Sequence, residues 1–575
     1  MSTTNKYKEL SDKRKQLQKD GLLPEWFTTG GYQLLEKNYL WAENPKAQYQ
    51  SIAKAAAKYV DGKLPIPDFI EYSSWEEAFF DIMWKGWMSP STPVLSNMGN
   101  TDRGMPVSCS GMYVPDSVDG FYSSLHEAAM LTKHGFGTAG YLGDIRPRGS
   151  KISGGGTAEG VLPVIKMFSQ MSKDVSQGSS RRGAWASYIP IDHGDFHEVI
   201  GFLETETDSV NIGWCITDEF IERCDNGDEE AMERQVDSML TKLPTGRGYH
   251  FFPDKANRLS PQIYKDRGYK IITSQLCSEI MEFCDENYTF TCVLSSGNLA
   301  KYNEWKDKYL FFIMTVFLDC VNEEFIQLAK DKNILHKAVR FAEESRSLGA
   351  GVMGAHTYLQ SEMIPFEDLR AQFFNAEFSK LMNDDSLAAS KYMAIHLGEP
   401  EWAKGYGIRN VSRLAIAPTK STGLLMSGVS EGINPDSSMS FTQLTAAGEV
   451  ARVNPELLKL MKKKNVYSKR HIDEVASNVG SVQHVNWLTA EEKLVFKTAF
   501  EIDQHVVIRY ASIRQRNIDQ GQSLNLFFAA DSSEEYIRDV HQAAWRDPYI
   551  LSLYYIYSSS EVRAAQQNTE CTACQ

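Results

Sequence analysis

The sequence predicts an α/β core preceded by a small helical domain, and three observations lead there. From residue 31 to 87 apolar residues recur at helical spacing, most clearly in the run Glu-Glu-Ala-Phe-Phe-Asp-Ile-Met-Trp at 76–84. The texture then changes at the Ser-Pro-Ser-Thr-Pro-Val-Leu-Ser run of 89–96. Beyond it glycine is frequent, and short apolar runs alternate with helical segments. Finally, strand-like pieces such as 184–190 and 413–417 sit between helices, an alternation that argues for an α/β core.

Taken in order, residues 1–25 read as a polar helix without a core face, loosely attached. Pro65 and Pro67 divide the helical region of 31–87 into two parts. Residues 135–140 have GxGxxG spacing, but they follow the helical-looking 123–134 rather than a strand, so a dinucleotide fingerprint is not supported. The glycines of 154–156 mark a turn or a phosphate-approach loop, and 178–183 form a basic, flexible loop. Long helices are expected over 303–328 and 335–348. A last helix spans 532–546 and opens on a cap-like Ser-Ser-Glu-Glu run. The apolar stretch 553–557 then gives way to a polar tail, 558–575. The domains expected are 1–88, 89–550 and 551–575.

Composition narrows the class. A hydrophobic fraction of 42% and a charged fraction of 23% are those of a soluble globular protein. The net charge of −14 argues against a broad nucleic-acid footprint. The most apolar run, 309–321, is about 13 residues long and contains Asp319, too short and polar to span a bilayer. The charged N-terminus lacks an apolar signal core, and nine cysteines is an odd count. Both fit reduced thiols in a cytoplasm.

The chemistry centres on 273–280, Thr-Ser-Gln-Leu-Cys-Ser-Glu-Ile. Cys277 stands two residues before Glu279, and in an extended strand or finger-like loop the two would face one side. Cys292 follows fifteen residues later, Cys109 lies far upstream, and the chain ends in Cys571-Thr-Ala-Cys574-Gln. Each alone has an ordinary reading as a small buried hydrophobe, which is the reading given to Cys215, Cys224, Cys284 and Cys320. A metal at Cys571 and Cys574 needs two further ligands, and none lies nearby in sequence. Pro418-Thr419-Lys420-Ser421-Thr422 offers hydroxyls, backbone N–H groups and a lysine at a helix start: either an anion site or an ordinary cap.

As an ordered series, these residues resemble the large, catalytic subunit of class I ribonucleotide reductase. The series runs through Ser-Thr-Pro at 91–93, Ser-Cys at 108–109, Arg-Pro-Arg-Gly-Ser at 146–150 and 177–183. It continues through Leu-Cys-Ser-Glu at 276–279, Cys292, 417–422, Tyr554-Tyr555 and the CxxC tail. It covers about residue 25 to the end.

The resemblance implies a ten-stranded α/β barrel with a central finger loop. Cys277 would become a thiyl radical at the finger tip and remove the 3′ hydrogen of a ribonucleoside diphosphate. Glu279 would act as general base on the 3′ hydroxyl. Cys109 would protonate the leaving 2′ hydroxyl and close a disulfide with Cys292. Gln275 stands where the family usually has Asn. Thr92, Ser108 and residues Pro418 to Thr422 would hold the diphosphate and ribose. A deoxynucleotide or ATP effector would bind around Asp116 and Arg146, with Gln177 and Arg181 in the loop that passes its identity on; this effector and dimer region spans about 116–185. Tyr555 and Tyr554 would carry the radical inward from a separate metal-bearing small subunit, so this chain itself binds no metal and no tight cofactor. Cys571 and Cys574 would pass electrons from thioredoxin or glutaredoxin.

The resemblance further implies a homodimer. It also implies a compact, phage-like form without the N-terminal ATP-cone, in the host cytoplasm if phage-encoded. Two alternatives stay open: an adenosylcobalamin-dependent reductase on the same barrel, and a catalytically silent nucleotide-binding homologue.

Overall fold

The computed structural model describes residues 3–100, 104–177, 181–205, 211–445 and 448–559. Helices Thr29–Leu34, Pro45–Ala57 and Trp75–Trp84 form the expected helical domain. Their starts are written locally. Asn44 accepts from the Ala47 N–H with Pro45 following it, and Ser74 accepts from the Glu77 N–H with two acids in the first turn. Ile52, Ala53, Ala56, Phe79 and Ile82 are buried between these helices and the long helix Leu310–Asp331. The first helix, Thr3–Lys19, is less loosely held than its polar sequence suggests. Arg14 and Gln18 both donate to the Phe27 carbonyl, and Leu10 and Leu17 pack on the core.

One expected element divides. The helix foreseen over 303–328 is a short turn, Tyr302–Trp305, followed by Leu310–Asp331. Tyr309 adopts a left-handed backbone (φ 55°) that ends one helical path and starts the next. The following helix is shorter than expected, His336–Ser345, because Leu335 and Arg346 on either side are also left-handed.

The core is a closed ring of two parallel halves. Strands Cys109–Tyr113, Gly137–Tyr141, Trp185–Pro190, Asn211–Cys215 and Tyr249–Phe251 pair in parallel in that order. The second half runs from Leu294–Asn298 to Gly349–Met353. It continues through parallel bridges Ala350 to Leu414 and Ile416 to Gln522, to the segment carrying Ser552–Leu553 and Ile556–Ser558. The strand-like pieces at 184–190 and 413–417 thus both lie in the ring. The halves meet antiparallel at two seams, Cys109 opposite Cys292 and Leu553 opposite His250. The interior collects Cys109, Tyr188, Tyr249, Cys277, Cys292 and Tyr554 into one buried cluster.

Candidate active site

Residues 270–288 contain no helix or strand, yet Thr273 through Glu282 are all 2% exposed or less. A loop buried end to end must satisfy its backbone from its surroundings. Here the barrel wall does so. The Tyr188 hydroxyl donates to the Gln275 carbonyl at 2.7 Å, the Gly521 N–H to the Glu279 carbonyl at 2.7 Å, and the Ser552 hydroxyl to the Ser278 carbonyl at 2.9 Å. Ser274 ties the two limbs of the loop together by donating to the Ile280 carbonyl at 2.6 Å.

The tip differs from the extended geometry expected. The Ser278 N–H donates to the Gln275 carbonyl at 3.2 Å, and Ser278 is left-handed (φ 64°), so the chain turns between Cys277 and Glu279. The two residues are brought together by this turn and by Ser523, not by strand alternation. The Ser523 hydroxyl lies 2.7 Å from the Cys277 carbonyl oxygen and 2.9 Å from Glu279 Oε2. The Gln275 side-chain oxygen accepts from the Cys277 N–H.

Three buried polar atoms at this tip have no protein partner: Gln275 Nε2, Ser278 Oγ and Glu279 Oε1. Stranding such groups is costly, and a cluster of them, one carboxylate oxygen among amide and hydroxyl, is arranged to receive hydroxyls from a ligand. Burial pushes the Glu279 carboxyl up to about 7, against the hydrogen bond from Ser523 that pulls it down. Further along the loop, burial lifts the Glu282 carboxyl to about 8.

Cys109 and Cys292 face each other directly across an antiparallel seam. Opposed residues in such a ladder have Cα atoms about 4.5–5.5 Å apart, inside the range a disulfide spans. Both are buried, and burial together with the Glu282 and Glu279 carboxyls holds the Cys292 thiol well above its ordinary value. Gly349 makes room for this thiol: a Cβ there would stand 2.7 Å from Cys292 Sγ.

The Tyr554 and Tyr555 rings are in close tilted contact, with centroids 4.1 Å apart and planes at 53°. Tyr249, which the sequence reading missed, lies against both, at 4.8 and 5.5 Å, and its hydroxyl is 3.2 Å from that of Tyr555. The signal for it was slight, two aromatics on either side of a histidine at 249–251. Ser523 was missed as well, since a lone serine after Gly521-Gln522 carries no pattern.

The remaining candidates fall in three places. Thr92 opens the helix Thr92–Asn97, and buried Ser108 donates to the Ser91 hydroxyl at 3.2 Å. Pro418 precedes the helix Lys420–Leu425. Thr419 is left-handed there, and its hydroxyl accepts from the Gly432 N–H at 2.7 Å. The Thr422 hydroxyl donates to the Thr419 carbonyl, and Lys420 and Ser421 sit in the first turn. Asp116 and Arg146 form an ion pair at 2.5 Å. Gln177 and Arg181 are opposed in a two-residue antiparallel ladder. Cys571 and Cys574 lie outside the described residues. Among the described residues no cluster of His, Cys, Asp and Glu suits a metal, and no helix is long and apolar enough to cross a membrane.

Comparison with known proteins agrees with this geometry. The model of the ribonucleotide reductase barrel domain matches residues 107–242, 232–405 and 400–555, and that of the all-alpha domain matches 25–103. A Frog virus 3 (isolate Goorha) protein named for the ribonucleoside-diphosphate reductase large subunit is 33% identical, over 90% of this chain and 94% of its own. The ribonucleoside-diphosphate reductase large subunit of Invertebrate iridescent virus 3 is 27% identical over 96% of this chain and 98% of its own. The solved class Id ribonucleotide reductase alpha subunit of Actinobacillus ureae superposes with a TM-score of 0.84 at 35% identity, covering 93% of this chain and 97% of that one. With both domain models matched in order along the chain and these relatives covered nearly end to end, the chain belongs to the ribonucleotide reductase large-subunit family.

Proposed function

We propose that this chain reduces ribonucleoside diphosphates to 2′-deoxyribonucleotides, with Cys277 as the radical residue and Cys109 and Cys292 as the two-electron reductant. The observation that carries the reading is the opposition of Cys109 and Cys292 across one seam, in the same buried cluster as Cys277. Reduction of the sugar consumes two thiols that must close on each other, and opposed strand residues do so without backbone movement.

In this reading Cys277 takes the 3′ hydrogen atom, and Glu279 takes the 3′ hydroxyl proton through the oxygen that lacks a protein partner. Gln275 orients the sugar through its amide nitrogen. Cys109 gives a proton to the departing 2′ hydroxyl, which leaves as water, and the pair ends as a disulfide. Thr92, Ser108 and residues 418–422 hold the diphosphate and ribose. Asp116, Arg146, Gln177 and Arg181 serve a nucleotide effector, and Cys571 with Cys574 serves re-reduction by thioredoxin or glutaredoxin.

A large subunit of this family works with a separate small subunit that supplies the radical. Tyr555 and then Tyr554 pass it to Cys277; the contact between their rings supports transfer from one to the other, and the burial of Tyr554 behind half-buried Tyr555 supports that order. The test is reduction of all four ribonucleoside diphosphates with and without a class I small subunit, and with adenosylcobalamin instead. Turnover that needs the small subunit and vanishes in Cys277→Ser, while nucleotide binding persists, is the expected outcome. Turnover with adenosylcobalamin alone would replace the tyrosine relay.

A further inference from the structure

Ser523 lies between two groups that both need its oxygen. Its hydroxyl is 2.7 Å from the Cys277 carbonyl oxygen and 2.9 Å from Glu279 Oε2, and all three residues are 2% exposed or less. A serine hydroxyl has one proton to donate. The Cys277 carbonyl has none, so both contacts are full hydrogen bonds only when Glu279 is protonated and donates to Ser523. When Glu279 is ionised, the serine proton is drawn to the carboxylate, because bonds to charged acceptors are the stronger ones, and the Cys277 carbonyl loses the Ser523 hydrogen bond.

We propose that Ser523 is a positioning residue whose single proton alternates between the Glu279 carboxylate and the Cys277 carbonyl. The protonation state of the base would thereby be coupled to the backbone that holds the radical cysteine. The catalytic part of this inference rests on Glu279 being the base. When Glu279 takes the substrate proton on Oε1, its Oε2 becomes the neutral carbonyl oxygen, a weaker acceptor for the Ser523 proton. Ser523 then turns its own proton to the Cys277 carbonyl and tightens the tip at the moment the substrate radical forms. No bond other than O–H is made or broken.

Other titratable groups face Glu279. These are Tyr188 from the barrel wall, Cys292 from the seam, Cys277 on the same loop and Glu282 beyond it. Burial keeps Tyr188 and Cys292 protonated across the neutral range and lifts Glu282 to about 8. Ser523 is the hydroxyl that bridges Glu279 to the Cys277 backbone.

The experiment uses the full-length chain in two arms. In the first, the Glu279 carboxyl is titrated by isotope-edited infrared spectroscopy, with Glu279→Gln identifying its band, in the parent, Ser523→Ala and Ser523→Cys. Loss of a hydrogen bond to a carboxylate raises its titration by about one pH unit or more. Ser523→Ala should show this rise, and Ser523→Cys, a weaker donor, an intermediate one. The acid limb of kcat/KM, measured with the small subunit, should move by the same amount. An unmoved titration in Ser523→Ala overturns the proposal. A titration that moves while the acid limb stays fixed overturns the assignment of Glu279 as base instead.

In the second arm the parent protein is labelled with carbonyl-13C cysteine, Cys277→Ser identifying the band. The Cys277 carbonyl stretch should rise as Glu279 ionises, and this step should vanish in Glu279→Gln. A pH-independent Cys277 band would sink the coupling even if the serine variants did not fold.

Discussion

At the scale of single residues, the site turns on a carboxyl held in a dry tip. Burial lifts the folded pKa of Glu279 from 4.5 to about 7, so the neutral acid is favoured below that value and the charged base above it. A general base must be ionised, so kcat/KM should fall as pH drops through about 7, and Glu279→Gln should lower kcat roughly 10²–10⁴-fold above that pH, with the gap to the parent narrowing below it. The stability sign is opposite. Folding favours the protonated form, so this group makes the fold more stable as pH falls from about 7 toward 4.5, and denaturant unfolding at several pH values checks it. The Cys277→Ser variant addresses a different property: its O–H bond is too strong to serve as the radical, so product should vanish with the fold intact. Cys277 and Glu279 were legible in the sequence as a reactive pair, through residue type and short spacing. The turn that joins them was not, because a left-handed serine such as Ser278 leaves no mark in composition or periodicity. Ser523 and Tyr249 were illegible for a related reason: their partners lie far away in the chain.

At the scale of elements, local signals carried the helices and long-range ones were lost. Capping residues and apolar spacing gave the helix of 75–84 and the last helix, Glu534–Arg546, started by Ser533. The break at Tyr309 escaped because its cause is a single backbone conformation between two good helix formers. The seam at Cys109 was reachable only through resemblance, since strand pairing across a barrel follows from closure of the ring. Gly349 belongs to the same seam. Gly349→Ala places a methyl group 2.3 Å from Leu294 Cδ2 and 2.7 Å from Cys292 Sγ, both of which are buried. Overpacking of this kind costs about 1–3 kcal/mol. The variant should melt earlier and form less product in a single turnover from the prereduced enzyme, both measurable on one preparation.

At the scale of the whole molecule, the barrel encloses the cysteine pair proposed as its reductant. Cys109 and Cys292 are buried, so in the proposed mechanism an external reductase protein could not reach them directly, and a tethered dithiol would reach them at high effective concentration. Replacing Cys571 and Cys574 with serine should leave one product per prereduced site and abolish continuous turnover with thioredoxin, with a small dithiol restoring part of it. Thioredoxin-driven turnover equal to the parent's would remove the tail from that role. The seam has a mechanical consequence too. Cys109 belongs to one half of the ring and Cys292 leads into the other, so in the proposed mechanism every cycle would staple the two halves and then release them. Closing a loop of roughly 180 residues removes about 5 kcal/mol of unfolded-chain entropy. The spent enzyme should therefore unfold at a higher temperature than the charged one, and Cys109→Ser should erase the difference. Resistance to heat would then report, molecule by molecule, how much of a population is waiting for electrons.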